Sequence, residues 1–337
     1  MIILNRAEIE ALIDPARARA AIEAAYVAAS RAQITLPPVG HITFGQLGGD
    51  CHIKYGHAQG DAHFVIKVAT GFPLNSAAGL PTGNGVSLVM SAQTGALEAV
   101  LHDEMVMTDI RTGIGGAIAS RRLARAGSTR VLVVGTGPQA LRQIESHAAV
   151  FGPDVSFDVW GRARHKAEAA AARMAPVCRI RAAGALRDAV ACADIVVTAT
   201  GSTQPLIDSA WVRAGTHITA VGADAPGKQE LAPELVARAD VQVADLAEQC
   251  LDHGELSHAY RQGLIGAGQV VTLGAVLAGD VPGRAQADQI TIADLTGIAA
   301  QDIAIANTVL DAYHRRTRAH GNIDGNPVPA HGSKLQE

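Results

Sequence analysis

Hydrophobic positions along this chain change period twice, and each change marks a different kind of structure. From Asp14 to Gln33 apolar residues recur at helical spacing, and Pro37-Pro38 stops the run, which predicts an amphipathic helix. Short alternating stretches follow near His52–Tyr55, Phe64–Val68, Gly85–Met90 and Leu97–Asp103. Gly71-Phe72-Pro73 and Pro81-Thr82-Gly83-Asn84-Gly85 separate some of them, so this part reads as strands joined by glycine-rich turns. A long helix is predicted to lead out of it, from about Thr108 to Arg125.

From Thr129 onward, short apolar runs alternate with helical segments: Val131–Val134, Val155–Val159, Ile195–Thr198, Ile218–Val221, Val241–Ala244 and Ile290–Ala293. That rhythm is the signature of strands buried on both faces between helices. The expected fold class is α/β, a Rossmann-type doubly wound parallel sheet plus a smaller α+β domain. The expected division is an α+β substrate and dimerisation domain at 1–114 and a dinucleotide-binding domain at 115–300. A helix from Gln301 to Arg316 is expected to return to the first domain as part of a segment spanning 301–320. Gly, Pro and polar residues make 321–337 an expected loose tail.

Composition narrows the partners. Hydrophobic residues form 48% of the 337 and aromatics only 3%, which suits aliphatic helices packed on a parallel sheet. A formal net charge of −4 offers no basic footprint, so nucleic acid is not an expected partner. No uncharged apolar run reaches the ~18–20 residues that span a membrane, and the first residues do not resemble a signal peptide. A cytoplasmic location is the expectation. Cys51, Cys178, Cys192 and Cys250 form no CxxC pair, and His52, His57 and His63 fit no common metal-ligand spacing, so no metal is expected.

The sharpest motif is Arg130-Val131-Leu132-Val133-Val134-Gly135-Thr136-Gly137-Pro138-Gln139-Ala140, an apolar strand running into G-x-G-x-x-A and then a helix. Gly135 permits the tight turn, Gly137 lets a pyrophosphate approach the backbone, and Ala140 allows close helix–strand packing. The helix N-terminus then offers free N–H groups to the phosphates. At the end of the next strand, Gly161 stands at or beside the position where NAD sites carry an acid, and Arg162 and Arg164 follow. Without that acid, the two arginines suit a 2′-phosphate, so NADP(H) is the expected cofactor and NAD(H) the alternative. Thr198, Ala199 and Thr200 close a later strand and are expected to flank the dinucleotide.

Three more segments, read with this motif, resemble the ornithine cyclodeaminase/mu-crystallin family. They are Ile66-Lys67-Val68-Ala69-Thr70-Gly71, Met107-Thr108-Asp109-Ile110-Arg111-Thr112-Gly113, and Val221-Gly222-Ala223-Asp224-Ala225-Pro226-Gly227-Lys228-Gln229-Glu230-Leu231. Asp294-Leu295-Thr296-Gly297-Ile298-Ala299-Ala300-Gln301-Asp302 matches the family's last strand and helix more weakly. By position, the resemblance implies that Lys67 and Arg111 bind the substrate carboxylate, with Lys67 and Asp224 as catalytic residues. It also implies that Val221, Gly222, Thr296 and Gly297 lie along the cofactor, and that the chain forms a homodimer.

Two departures bear on substrate. Leu36-Pro37-Pro38-Val39-Gly40-His41 lacks the arginine that family members often carry there. Where ornithine cyclodeaminases have an acid for the side-chain amine, a gap-free count back from Lys67 reaches Lys54. A lysine there repels an ammonium and attracts a second carboxylate. The expected activity is therefore reduction of a small 2-imino acid, or the reverse amino-acid dehydrogenase reaction, with a dicarboxylic imine such as iminosuccinate in view. Ornithine cyclodeamination and non-catalytic NADPH and ligand binding, as in mu-crystallin, are the alternatives.

Overall fold

The computed structural model describes residues 1–321. The tail predicted at 321–337 lies outside the described residues, except that Gly321 ends the last helix.

β1 (Ile2–Asn5) runs into α1 (Arg6–Leu12), where Asn5 and Glu8 cap each other's backbone N–H groups. α2 (Pro15–Ser30) starts on Asp14, whose carboxylate accepts the N–H groups of Ala16 and Arg17. Six strands follow: β2 (Ile34–Thr35), β3 (Gly40–Phe44), β4 (Gly49–Ala58), β5 (His63–Gly71), β6 (Gly83–Ser91) and β7 (Leu97–His102). They form one sheet in the order β1-β7-β6-β5-β4-β2, with β3 also paired to β4. Every ladder is antiparallel except β1–β7.

α3 (Val106–Leu123) leaves this sheet and is buried along most of its length. The alternating half then runs β8 (Arg130–Val134), α4 (Pro138–Phe151), β9 (Ser156–Trp160), α5 (Arg164–Met174), β10 (Arg179–Ala182), α6 (Leu186–Cys192) and β11 (Ile195–Thr198). It continues with β12 (Thr203–Ile207), β13 (His217–Ala220), β14 (Gln229–Leu231), α7 (Pro233–Arg238), β15 (Val241–Ala244), α8 (Ala247–His253) and α9 (Leu256–Arg261). β16 (Val270–Thr272), α10 (Leu273–Ala278), β17 (Thr291–Asp294) and α11 (Ala299–Gly321) complete the described chain. Eight of these strands form a parallel sheet ordered β10-β9-β8-β11-β13-β17-β15-β16, and β12 pairs separately with β14. The chain winds outward from β8 to β10 and then resumes on the other side with β11. The crevice between the carboxyl ends of β8 and β11 is thus the switch point where doubly wound sheets bind ligands.

The two sheets share a core. One apolar cluster runs from Leu4 and Tyr26 through Ile118 on α3 to Val243, Ala293 and Ala306. α11 lies against α2, β4 and β5 and brings Gln301 and Asp302 to the first sheet. A buried polar seam fixes α3 and α4 to the parallel sheet: His147 Nε2 meets Ser120 Oγ at 2.8 Å, and Ser120 Oγ meets Thr219 Oγ1 at 2.9 Å. Thr219 Oγ1 meets His217 Nε2 at 2.8 Å, and His217 Nδ1 meets Thr291 Oγ1 at 2.8 Å. Among the described residues, no helix is long and apolar enough to cross a membrane.

Candidate active site

Local sequence shapes the crevice at the switch point. Gly135 has φ +136°, and a Cβ there would lie 2.5 Å from the Ala199 carbonyl oxygen, so the turn after β8 requires glycine. Gly137 is the N-cap of α4 and makes no side-chain cap, which leaves the first helical N–H groups available to an anion. Pro138 takes the first helical position, and Ala140 is fully buried against the sheet. Gln139 turns away from the crevice: its Nε2 donates to Asp109 Oδ1 at 2.6 Å and ties the loop to α3.

Gly135, Thr136, Gly137, Gly161, Arg162 and Thr200 are among the residues lining a groove of about 280 Å³. Ala199 lines it too. Gly161 lies under Thr136, whose methyl would stand 2.6 Å from any Cβ. Arg164 begins α5 instead, mostly exposed, with its Nε 2.8 Å from Glu168 one turn on.

Glu230 is a residue whose role sequence reasoning missed. It is fully buried, and its carboxylate accepts from Thr198 Oγ1 at 2.6 Å, Thr200 N and Oγ1 at 2.7 Å, and Gly222 N at 3.0 Å. It therefore holds together the ends of β11 and β13, while Val221 beside it stays buried. Burial raises the Glu230 carboxyl above its usual range, against these hydrogen bonds. Asp245 does the same for the loop after β17, accepting from Thr296 Oγ1 at 3.0 Å and Gly297 N at 2.7 Å.

A second cavity of about 460 Å³ opens beside the groove, and Gly201 lines both. Lys54, Lys67, Arg111 and Asp224 all line it, drawn from β4, β5, α3 and the loop after β13. Lys54 and Lys67 are direct partners across the β4–β5 ladder and so share one face. Lys67 and Arg111 are 4% and 5% exposed, and two cations so deeply buried require an anion. Asp302 supplies it from α11, its Oδ1 lying 2.9 Å from Lys67 Nζ and 3.1 Å from Arg111 Nε. Burial alone would raise this carboxyl, but Lys67 and Arg111 outweigh it and hold the group below its ordinary value. Gln301 completes the support, accepting from Arg111 Nη1 at 3.2 Å and donating to the Arg111 carbonyl at 3.1 Å.

Lys54 is paired differently. Its Nζ donates to the Thr296 and Gly297 carbonyls at 3.3 and 2.5 Å, not to a carboxylate. Burial and the nearby Arg111 charge lower its pKa to about 8. Gly297 has φ +80°, and a Cβ there would lie 2.5 Å from Arg111 Nη1, so glycine makes room for the guanidinium. No helix begins at Asp224, so it is not a helix cap; its carboxylate is half exposed and pairs with Lys228. Partial withdrawal from water pushes the Asp224 carboxyl up, and the Lys228 ammonium brings it below the usual range.

His52 lines this cavity, but His57 and His63 do not converge on it. His57 Nε2 contacts the Asp61 carbonyl at 3.0 Å, and His63 Nε2 contacts Glu98 at 2.9 Å.

The groove fits a dinucleotide: the glycine cradle, the uncapped helix start and Thr200 at the strand end are together at the switch point, while Thr198 is buried beneath it on Glu230. Residues 1–317 match the ornithine cyclodeaminase/mu-crystallin family, and the chain belongs to it. A putative dehydrogenase of Rhizobium meliloti, RB0419, is 39% identical over 310 residues, covering 91% of this chain and 94% of that protein. An archaeal alanine dehydrogenase dimer with bound NAD superposes with a TM-score of 0.86 at 32% identity, covering 94% of this chain and 97% of that one. The iminosuccinate reductase of Paracoccus denitrificans in complex with NAD+ gives 0.84 at 31% identity, with the same coverages of 94% and 97%.

Proposed function

We propose that this protein is an NAD(P)H-dependent reductase of a small 2-imino acid, able to run in reverse as an amino-acid dehydrogenase, and that the imino acid is dicarboxylic, of the iminosuccinate kind. The observation that carries this is the junction at Gly201 of a dinucleotide groove and a cavity walled by Lys54, Lys67 and Arg111. The activities for which the relatives above are named, on alanine and on iminosuccinate, support the same chemistry.

When bound, the nicotinamide supplies a hydride to the imine carbon. The chain's own residues do the rest. Arg111 and Lys67, pre-set by Asp302, fix the α-carboxylate and hold the C=N carbon toward the groove. Asp224 faces the nitrogen, favours the iminium form and holds a proton at that atom as it becomes an amine. Among the described residues Lys54 pairs with main-chain carbonyls and with no carboxylate, and it takes the second carboxylate. The same charge disfavours ornithine, whose side-chain ammonium it would repel.

NADP(H) is the favoured cofactor, because Arg162 borders the groove where Gly161 leaves no acid to repel a 2′-phosphate. Michaelis constants for NADPH and NADH test this, and a clear preference for NADH would overturn it. The reaction itself is tested by NADPH and NADH oxidation with ammonia plus oxaloacetate, pyruvate or glyoxylate, and with preformed cyclic imines. Turnover should be best with oxaloacetate plus ammonia. Asp224→Asn should lower kcat by about 10²–10⁴-fold with the fold intact; silence across the panel would refute the proposal.

A further inference from the structure

We propose that His41, Asp50 and His52 form a binding site for a divalent, zinc-class metal ion at the mouth of the substrate cavity. His41 and His52 are directly opposite in the antiparallel β3–β4 ladder, so their side chains leave the same face of the sheet. Asp50 stands two residues before His52 on β4, and the period of two puts it on that face as well. The two imidazole rings stack with centroids 4.4 Å apart and 22° between their planes. His52 Nε2 lies 3.4 Å from Asp50 Oδ2. One ligand atom from each of the three residues falls within 4.8 Å of the others.

Bonds of about 2.0–2.2 Å around a tetrahedral zinc place its ligands roughly 3.4 Å apart, so closing this site asks for about an ångström of movement. His41 is exposed and can swing that far without unpacking the sheet. Space for the carboxylate is built in: a Cβ on Gly71, the residue paired with Asp50 on β5, would lie 2.6 Å from Asp50 Oδ1. Two imidazoles and one carboxylate are a borderline donor set that suits zinc and its first-row neighbours better than magnesium or calcium. Asp50 and His52 line the cavity, so the remaining coordination positions face it. Three protein ligands with an open position define an exchangeable site, not a closed structural one. The site rests on the geometry of β3, β4 and β5 alone and does not depend on the imine-reductase proposal.

The experiment uses full-length, tag-free protein stripped with EDTA and then titrated with Zn²⁺ by calorimetry and with Co²⁺ by visible absorption. One ion per chain is expected, with the d–d bands of low-coordinate Co²⁺. His41→Ala, Asp50→Asn and His52→Ala should each weaken Zn²⁺ binding by about 10–100-fold or more. His63→Ala, which removes a histidine engaged with Glu98 elsewhere on the sheet, should leave it unchanged. His41→Ala changes an exposed side chain, so its folding is checked simply by thermal melting. Absence of stoichiometric binding, or binding that survives His41→Ala and His52→Ala, would overturn the proposal. The readout is metal binding itself and stays separate from any assay of imine reduction.

Discussion

Lys54 and Lys67 sit directly opposite each other on β4 and β5, two ammonium groups on neighbouring strands facing one cavity. Like charges so placed destabilise a sheet. Asp302 offsets Lys67, whereas Lys54 leans on two main-chain carbonyls. Replacing Lys54 with Met should therefore remove a ligand for the second carboxylate without harming the fold. A hydrogen bond to a charged group is worth about 1.5–3 kcal/mol, so KM for a dicarboxylic imine should rise roughly ten- to hundredfold. KM for a monocarboxylic imine should hold nearly constant. Steady-state kinetics with both substrates decide it, and an equal effect on the two would contradict the assignment.

Asp302 is the only anion contacting both Lys67 and Arg111 among the described ion pairs. Removing one partner of a buried charge cluster leaves the others uncompensated, at a cost of about 3–5 kcal/mol. Asp302→Ala should lower unfolding stability by that order, read by urea denaturation. Asp302→Asn should cost less, because an amide oxygen still accepts from both cations, yet it should still weaken substrate binding. Wild-type stability in Asp302→Ala would show that water or anions already neutralise the pair.

How far the sequence announced this site depends on the distance over which each feature acts. β8, β11 and β13 are buried on both faces, so their apolar runs stood out. β10, Arg179-Ile-Arg-Ala at the sheet edge, and β3, largely exposed, carry no such pattern. Lys54, Lys67, Arg111 and Asp224 were legible through local motifs and do share one cavity. Asp302 was not: its partner Lys67 lies 235 positions away, and only the return of α11 brings them together. Glu230 sat in plain view within a recognised segment, but nothing local says that it bridges two strand ends. Arg164 was offered by adjacency, but the start of α5 there and its Nε contact with Glu168 one turn on were not.

Ile42, Phe44, Leu47 and Leu74 are exposed on and beside β3. Phe44 packs on Phe72 at 5.4 Å, and the Leu74 side chain approaches Gly48, so part of this surface is continuous. Apolar patches of this kind mark association surfaces, and we expect a second copy of the chain to cover it. Phe44→Asp should shift the protein from dimer to monomer in light scattering. A wild-type monomer would end the expectation outright.

The buried histidines give the stability curve a component that one variant can isolate. Burial depresses His147 to about 4, and burial with Arg284 nearby depresses His217 to about 3. Both imidazoles stay neutral in the folded protein over a range where the unfolded chain, near 6.5, takes up protons. Their contribution is therefore fully present above pH 6.5 and is lost as pH falls toward 4, by on the order of 3 kcal/mol per histidine. Asp294 acts in the opposite sense: burial raises it to about 8, so its cost at neutral pH shrinks as pH falls toward 3.8. The whole-protein curve mixes both signs. The difference between wild type and His217→Gln does not, because glutamine keeps polar contact with Thr219 and Thr291 but cannot titrate. Whatever gap separates the two at pH 7.5 should move in favour of the variant by about 3 kcal/mol at pH 4. Denaturant titrations at the two pH values measure it, and a gap independent of pH would mean that His217 takes up its proton over the same pH range in the folded and the unfolded chain.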